Sequence, residues 1–490
     1  MPMVDDRGRL SQVVVLVFVG VTAWLAALLF SEGFVRVTLL LAAGLAILIA
    51  QICAALKLRG ALGSLMLMLA LYWAVGYILR PLVLVWLQPQ PRVGDSLADR
   101  RISSDYAGAI CSILEKSIPS FALLFVLILG FSGFARRQKI ALSGGFVSVS
   151  HGLVLLAAGW MVRIYALSGD ALSSSAIVTL TFVPTVAAGL IIVGSDPLRR
   201  STLALLLLSE SAWALAAATK APVMAVLAFG IVRTFLRGGT LKARTTLAYG
   251  AVGVGMFFAV QQVKTELGRL NSTETVEAHY PPVIQGIYPI LARFDAIQAN
   301  IDAALAGPYS YLSFAEVTTR LWQALLPQQL VGEKHQLAGA AWGNILRPQA
   351  GGPSQAGANL AEGPIAEGWA LAGWIGIVVE IAVLAGVILI VARLFERQNL
   401  FLLAFAISMI AQPFLFERGM LGISEGIGKS LQLAVLAWLV LILLEHPRRD
   451  RNSLSSTYGM RKAVVRGVPG EASSVPPGLG MRRPFIGPAD

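Results

Sequence analysis

Two carboxylates and six cations are the residues of this chain whose types and positions could do chemistry. Glu362 and Glu367 stand in "NLAEGPIAEGWALAGWIGIVVE" (residues 359–380), just before an apolar run that opens at Trp369. Negative charge there suits the positive end of a starting helix. It equally suits a general base, or a group orienting an acceptor hydroxyl, at the mouth of a cavity. The cations are Arg293, Arg320, Lys334, Arg347 and Arg418, with Lys220 in the tight turn "ATKAP". A charge near bilayer depth costs about 2.5–3.5 kcal/mol on insertion scales, so such residues tend to be paired or functional. As paired residues they would snorkel to the interface and meet Glu417 or Asp295. As functional residues they would form an anion site, because guanidinium forks suit phosphate or pyrophosphate through two bonds at once. An anionic lipid headgroup is the natural ligand. His335 and His279 could carry protons, although a loop histidine is more often merely solvated. No nucleotide-binding glycine loop, metal cluster or serine–histidine–acid set is recognisable. Neither cofactor nor metal is therefore expected, and any substrate must arrive already activated.

Membrane helices have to position these side chains. The chain has 490 residues, 56% hydrophobic and 13% charged, where a soluble protein carries about 25% charge. Its mean hydropathy is +0.72. The fold class expected is all-α: a polytopic membrane protein of about twelve spans with a large external helical loop. Spans are expected near residues 11–30, 36–56, 61–79, 108–134, 146–167, 176–194, 202–218, 221–236, 246–262, 369–392, 399–416 and 429–445. The connections "KLRG", "RRQK", "DPLRR", "RGGTLKAR" and "RLFER" are short and basic, and they alternate with connections poorer in Lys and Arg. The positive-inside rule then puts both termini in the cytoplasm. The expected organisation is nine helices over 1–262, a large outer loop over 263–368, three helices over 369–446 and a disordered basic tail over 447–490. The net charge of +12 collects at helix ends and in that tail, as membrane topology dictates, which argues against a nucleic-acid partner. The first apolar run is too long for a signal peptide and reads as an uncleaved helix. Cys53 and Cys111 lie in apolar segments and give neither a disulfide framework nor a metal spacing.

The outer segment is more than a linker. In "RFDAIQANIDAAL" (293–305), Phe294, Ile297, Ile301 and Leu305 share one helical face, and in "FAEVTTRLWQALL" (314–326) Phe314, Val317, Leu321 and Leu325 do so. Two amphipathic helices imply a loop that packs on the membrane domain or lies in its interface.

Four stretches together carry a resemblance: "LARFDAIQANI" (291–301), "LWQALLPQQLVGEK" (321–334), "EGWALAGWIG" (367–376) and "FERGML" (416–421). In this order and on the outer side, they resemble the bacterial O-antigen and exopolysaccharide polymerases of the Wzy type. Arg293, Pro327 with Lys334, Glu367 with Gly373, and Arg418 with Gly419 match positions of that family, over roughly residues 200–430. The chain departs from it at Gln328, where a basic residue is usual, and at Lys220, where an arginine is often found. Ala358 before Asn359, in place of a histidine, argues against the sister family of O-antigen ligases.

The resemblance implies a GT-C-like glycosyltransferase in the bacterial inner membrane. Its substrate would be a glycan on polyprenyl pyrophosphate, its leaving group would supply the activation, and a flippase and a chain-length co-polymerase would be its partners. It implies Glu367, Arg293 and Arg418 as catalytic residues. Lys220, Arg320, Lys334, His335, Glu362 and Arg347 would hold substrate. The rival readings are a ligase or another lipid-linked glycosyltransferase, and a secondary transporter or flippase; against the last, the chain shows no internal repeat.

Overall fold

The computed structural model describes the chain except residues 1–5, 30–32, 59, 93–94, 136–146, 168–174, 240–242, 267–278, 295, 327–330, 333–335, 353–359, 398, 413 and 464–490. Every regular element among the described residues is helical. Residues 1–441 form one compact unit, which holds every site discussed below. Residues 442–490 form a second, helical as far as Ala463. The helix continues past the boundary expected for the tail, through Pro447 and Gly459.

The first nine helices are α1 (Asp6–Ala27), α2 (Phe34–Lys57), α3 (Ala61–Leu87), α4 (Tyr106–Ala135), α5 (Val149–Leu167), α6 (Ile177–Gly194), α7 (Arg200–Ala216), α8 (Ala221–Leu236) and α9 (Ala243–Glu266). The outer segment adds α10 (Pro282–Arg293), α11 (Ala296–Ala306), α12 (Phe314–Leu325) and α13 (Ala338–Ala341). The chain closes with α14 (Pro364–Phe395), α15 (Leu400–Ala411) and α16 (Met420–Ala463).

Eight of the described helices are long and apolar enough to cross a membrane: α2 to α6, α9, α14 and α16. The other four expected spans also form helices, but shorter ones. The apolar part of α1 is Val15–Ala27, α8 has 16 residues and α15 has 12. Helices of that length run about 18–24 Å, against a hydrocarbon core of about 30 Å. The fourth, α7, has 17 residues and a glutamate in its middle.

Two irregularities shape the face on which α10 to α13 pack. Within α3 the backbone widens into a π turn at Ala74–Leu79 before Pro81, whose missing N–H cannot continue the ladder. Arg80, at the end of that turn, is buried; it donates to the carbonyls of Leu291, Ser96 and Leu97. In α14 the helix breaks at Ala372 and Gly373, the latter at φ 59° and ψ −136°. A side chain is strained there, so glycine is required. The chain folds back at this break: a Cβ on Gly376 would sit 2.0 Å from the Gly368 carbonyl oxygen. Beyond the break roughly 22 residues remain, about 33 Å of helix and enough to span.

The bundle core sits where α3 meets α4 and α14. Trp73 stacks on Phe121 at 4.7 Å, with the Tyr77 ring edge-on at 5.4 Å. The short connection 88–105 packs on the outer segment. Asp95 accepts from the hydroxyls of Tyr280 and Tyr288, at 2.8 and 2.9 Å. Arg101 bridges Asp99 and Asp302, each at 2.7 Å, and the Trp342 indole also donates to Asp302. Although burial opposes it, Arg101 holds the Asp99 carboxyl below the usual carboxylate range. These contacts require both segments to lie on one side of the bilayer. The six helices between them, α4 to α9, satisfy that if all cross, and so do the four long ones alone.

Candidate functional site

A cleft of about 450 Å³ opens between α3, α8, α9 and the segment 410–417. Its walls are apolar: Met68, Leu71 and Val75 from α3, with Met224 and Ile231 from α8. Leu71 and Met224 are 48% and 42% exposed on the flank of the bundle. The cleft therefore opens sideways at the level of the spans.

One end of the cleft is charged, with Lys220, Arg293 and Glu417 on its lining. Lys220 stands before the first turn of α8, where Pro222 needs no N–H partner. Its Nζ lies 3.3 Å from the centroid of the Phe257 ring and 3.2 Å from Gln261 Oε1. Arg293 closes α10, where a cation meets the negative end of the helix dipole. Its Nη2 donates to both oxygens of Glu417, and its side chain remains 40% exposed. Phe294, stacked on Phe257 and edge-on to Tyr72, breaks the chain between α10 and α11. It therefore lines the cleft instead of sharing a helical face with Ile297 and Ile301. On α11 those two are buried, and Leu305, the last member of the expected face, is exposed.

Glu362, Glu367 and Arg418 form a second, buried cluster beside it, around the start of α16. Four N–H groups at a helix start have no partner within the helix. Here Glu380 Oε2 accepts from Met420 N at 2.7 Å and Glu367 Oε1 accepts from Leu421 N at 3.1 Å. The two carboxyls also lie against each other. Glu367 Oε2 and Glu380 Oε1 receive no N–H donor, so a proton held between the pair would satisfy both. Glu367 has no exposed surface, and a Cβ on Gly419 would come within 2.2 Å of its Oε2. Arg418 pairs with Glu362 at 2.8 Å and also donates to the Leu360 carbonyl. Burial pushes the Glu362 carboxyl up, against the pull of the Arg418 guanidinium.

Of the nine residues expected to form a site, the cleft gathers two, Lys220 and Arg293. Glu362, Glu367 and Arg418 stand behind it, joined to it through the adjacent Glu417, whose carbonyl accepts from Gly363 N. Arg347 is buried near Asp302 and Asp99, and Arg320 donates to the Gln336 carbonyl, neither of them on the cleft. Lys334 and His335 lie outside the described residues, as do Asp295, Pro327, Gln328, Ala358 and Asn359. His279 is exposed on a second, smaller pocket with Arg92, Asp95 and Tyr280. Among the described residues no group of histidine, cysteine, aspartate or glutamate could hold a metal ion.

Three groups went unnoticed in the sequence: Glu380, the Arg101–Asp302 bridge, and a buried pair between α5 and α7. In that pair Arg163 donates to both oxygens of Glu210, at 2.7 and 2.8 Å, and to Thr181 O and Thr185 Oγ1. Trp160 and Trp213 flank its guanidinium at 5.2 and 5.0 Å. Glu380, Arg163 and Glu210 are each a lone charge in an apolar run, and that was the available signal, whereas Arg101 stands among other charges in a polar connection. No protein-family model, curated protein or solved structure matches this chain.

Proposed function

We propose that this protein is a glycosyltransferase of the bacterial inner membrane, a polymerase that joins oligosaccharide repeat units carried on polyprenyl pyrophosphate. One observation carries the reading: an apolar cleft open to the side of the bundle ends at Lys220 and Arg293. That is the shape of a lipid tail with a diphosphate head. The tail would enter past Leu71 and Met224, and the diphosphate would meet the two cations at the outer end. About twelve crossings, with both termini in the cytoplasm, place that end outside; the short helices α1, α7, α8 and α15 would then cross with local thinning or in pairs.

The chemistry follows from charge. An acceptor hydroxyl attacks the anomeric carbon of the donor, the bond from that carbon to the diphosphate oxygen breaks, and negative charge grows on the leaving group. Arg293 and Lys220 stabilise that charge. Glu417 is the carboxylate on the cleft, and it takes the acceptor role that the sequence assigned to Glu367. When the diphosphate engages Arg293, Glu417 loses its partner and can receive the hydroxyl proton. Glu367, Glu362 and Arg418 hold the turn that presents Glu417. A ligase would use the same donor end and differ in its acceptor.

The test is a purified protein in nanodiscs given a lipid-linked repeat unit. A ladder of polymer with release of polyprenyl pyrophosphate is the expected result. Consumption of the donor onto a lipid A acceptor alone would make it a ligase. Transbilayer movement of the donor without new glycosidic bonds would make it a transporter.

A further inference from the structure

The surface of α12 is divided into three sectors. Val317 and Leu321 face inward, onto a cluster formed with Tyr311, Leu312 and Trp342. A polar sector carries Glu316, Thr319, Arg320 and Gln323. The third sector, at successive turns of one face, carries Phe314, Thr318, Trp322 and Leu325. Phe314 is 87% exposed and Trp322 65%. Thr318 does not interrupt that apolar strip, because its hydroxyl donates to the Phe314 carbonyl within the helix.

Both ends of α12 are tied to membrane spans. Ahead of it, Ser310 N and Tyr311 N donate to the Ala370 carbonyl, and Pro308 lies against Gly373 at the break in α14. At its far end, Ala324 packs so closely on α16 that a Cβ on Gly428 would meet its carbonyl oxygen at 2.2 Å. Gly428 lies about two turns, roughly 12 Å, into a candidate span. The contact brings α12 down to bilayer level, and its exposed strip of aromatic and aliphatic groups matches side chains that settle at the headgroup boundary.

We propose that α12 lies in the membrane interface, with Phe314, Thr318, Trp322 and Leu325 against phospholipid. The outer segment is then anchored to the bilayer as well as to the bundle. The inference stands apart from the proposed activity, because its test reads position and not catalysis.

Single cysteines at 314, 318, 322, 319 and 323, in a background lacking Cys53 and Cys111, carry nitroxide labels in phospholipid nanodiscs. Labels at 314, 318 and 322 are expected to show an oxygen-to-nickel-chelate accessibility ratio several-fold above those at 319 and 323. Equal access of the nickel chelate to all five would overturn the proposal. So would shielding of the first three from both reagents, which would mean that protein covers the face. Should the cysteine-free background not fold, brominated lipid gives the same decision: Trp322→Phe must lose part of the tryptophan quenching seen in the native chain, and unchanged quenching overturns it.

Discussion

Arg293 Nη2 lies 2.7 and 2.8 Å from the two carboxylate oxygens of Glu417, at the charged end of an otherwise apolar cleft. With 40% of the arginine side chain exposed, such a pair adds only about 0–1 kcal/mol to stability. Arg293→Lys should therefore leave the unfolding temperature nearly unchanged. It keeps the charge but loses the two-pronged grip on a diphosphate. Loss of one donor to a developing anion costs about 2.7–4 kcal/mol, so kcat/KM for polymerisation should fall roughly 100- to 1000-fold. Thermal unfolding in detergent, beside the nanodisc assay, checks both halves; a near-normal rate would remove Arg293 from the site.

The eight long apolar helices were readable because runs of about 20 apolar residues have few alternatives. Helix length was less evenly readable: α8 fills the expected 221–236, whereas α15, expected over 399–416, stops at Ala411. The break in α14 left no trace beyond Gly373, since one glycine in an apolar run also reads as continuous helix. Arg293 and Glu417 were recognised as possible partners. That Glu367 is buried against Glu380 and the start of α16 depends on the fold-back at Gly373, a long-range arrangement that local pattern does not encode.

The Arg163–Glu210 pair bears on the transporter alternative. Its guanidinium is bonded to a carboxylate, a hydroxyl and a carbonyl and sandwiched by indoles, leaving little for a moving ion to engage. A pair of that kind is structural. Removing one partner strands a buried charge, at a cost of about 3–5 kcal/mol, whereas replacing both with apolar groups is often neutral. Arg163→Met should lower the unfolding temperature and the yield sharply. Adding Glu210→Met should restore both, along with polymerisation. A double variant that folds but has no activity would give the pair a functional role.

Sidedness is checked by the contact between the two outer segments. Because Asp95 bonds Tyr280 and Tyr288, and Arg101 bonds Asp302, cysteines placed at Ser104 and Tyr309 must react from the same side. In the proposed topology, with the basic connections in the cytoplasm, that side is outside. An impermeant maleimide on intact cells should label both positions. Labelling of one alone would contradict the packing, and labelling of neither until the membrane is opened would invert the topology.

Glu367 and Glu417 can be separated by one substitution each. Glu367→Gln keeps an oxygen to accept from Leu421 N, and its new amide offers Glu380 Oε1 the donor it lacks. The buried turn at Gly419 should therefore survive, with unfolding temperature and polymerisation rate both near normal. Glu417→Gln is shaped alike but stands on the cleft. It removes the only carboxylate there among the described residues and weakens the hold on Arg293. If Glu417 receives the hydroxyl proton, this variant should still bind the lipid-linked donor but lose about 100-fold or more in rate, the scale of a missing general base. A Glu367→Gln variant that folds normally but cannot polymerise would return the proton-accepting role to Glu367, and with it would require α14 to open during turnover.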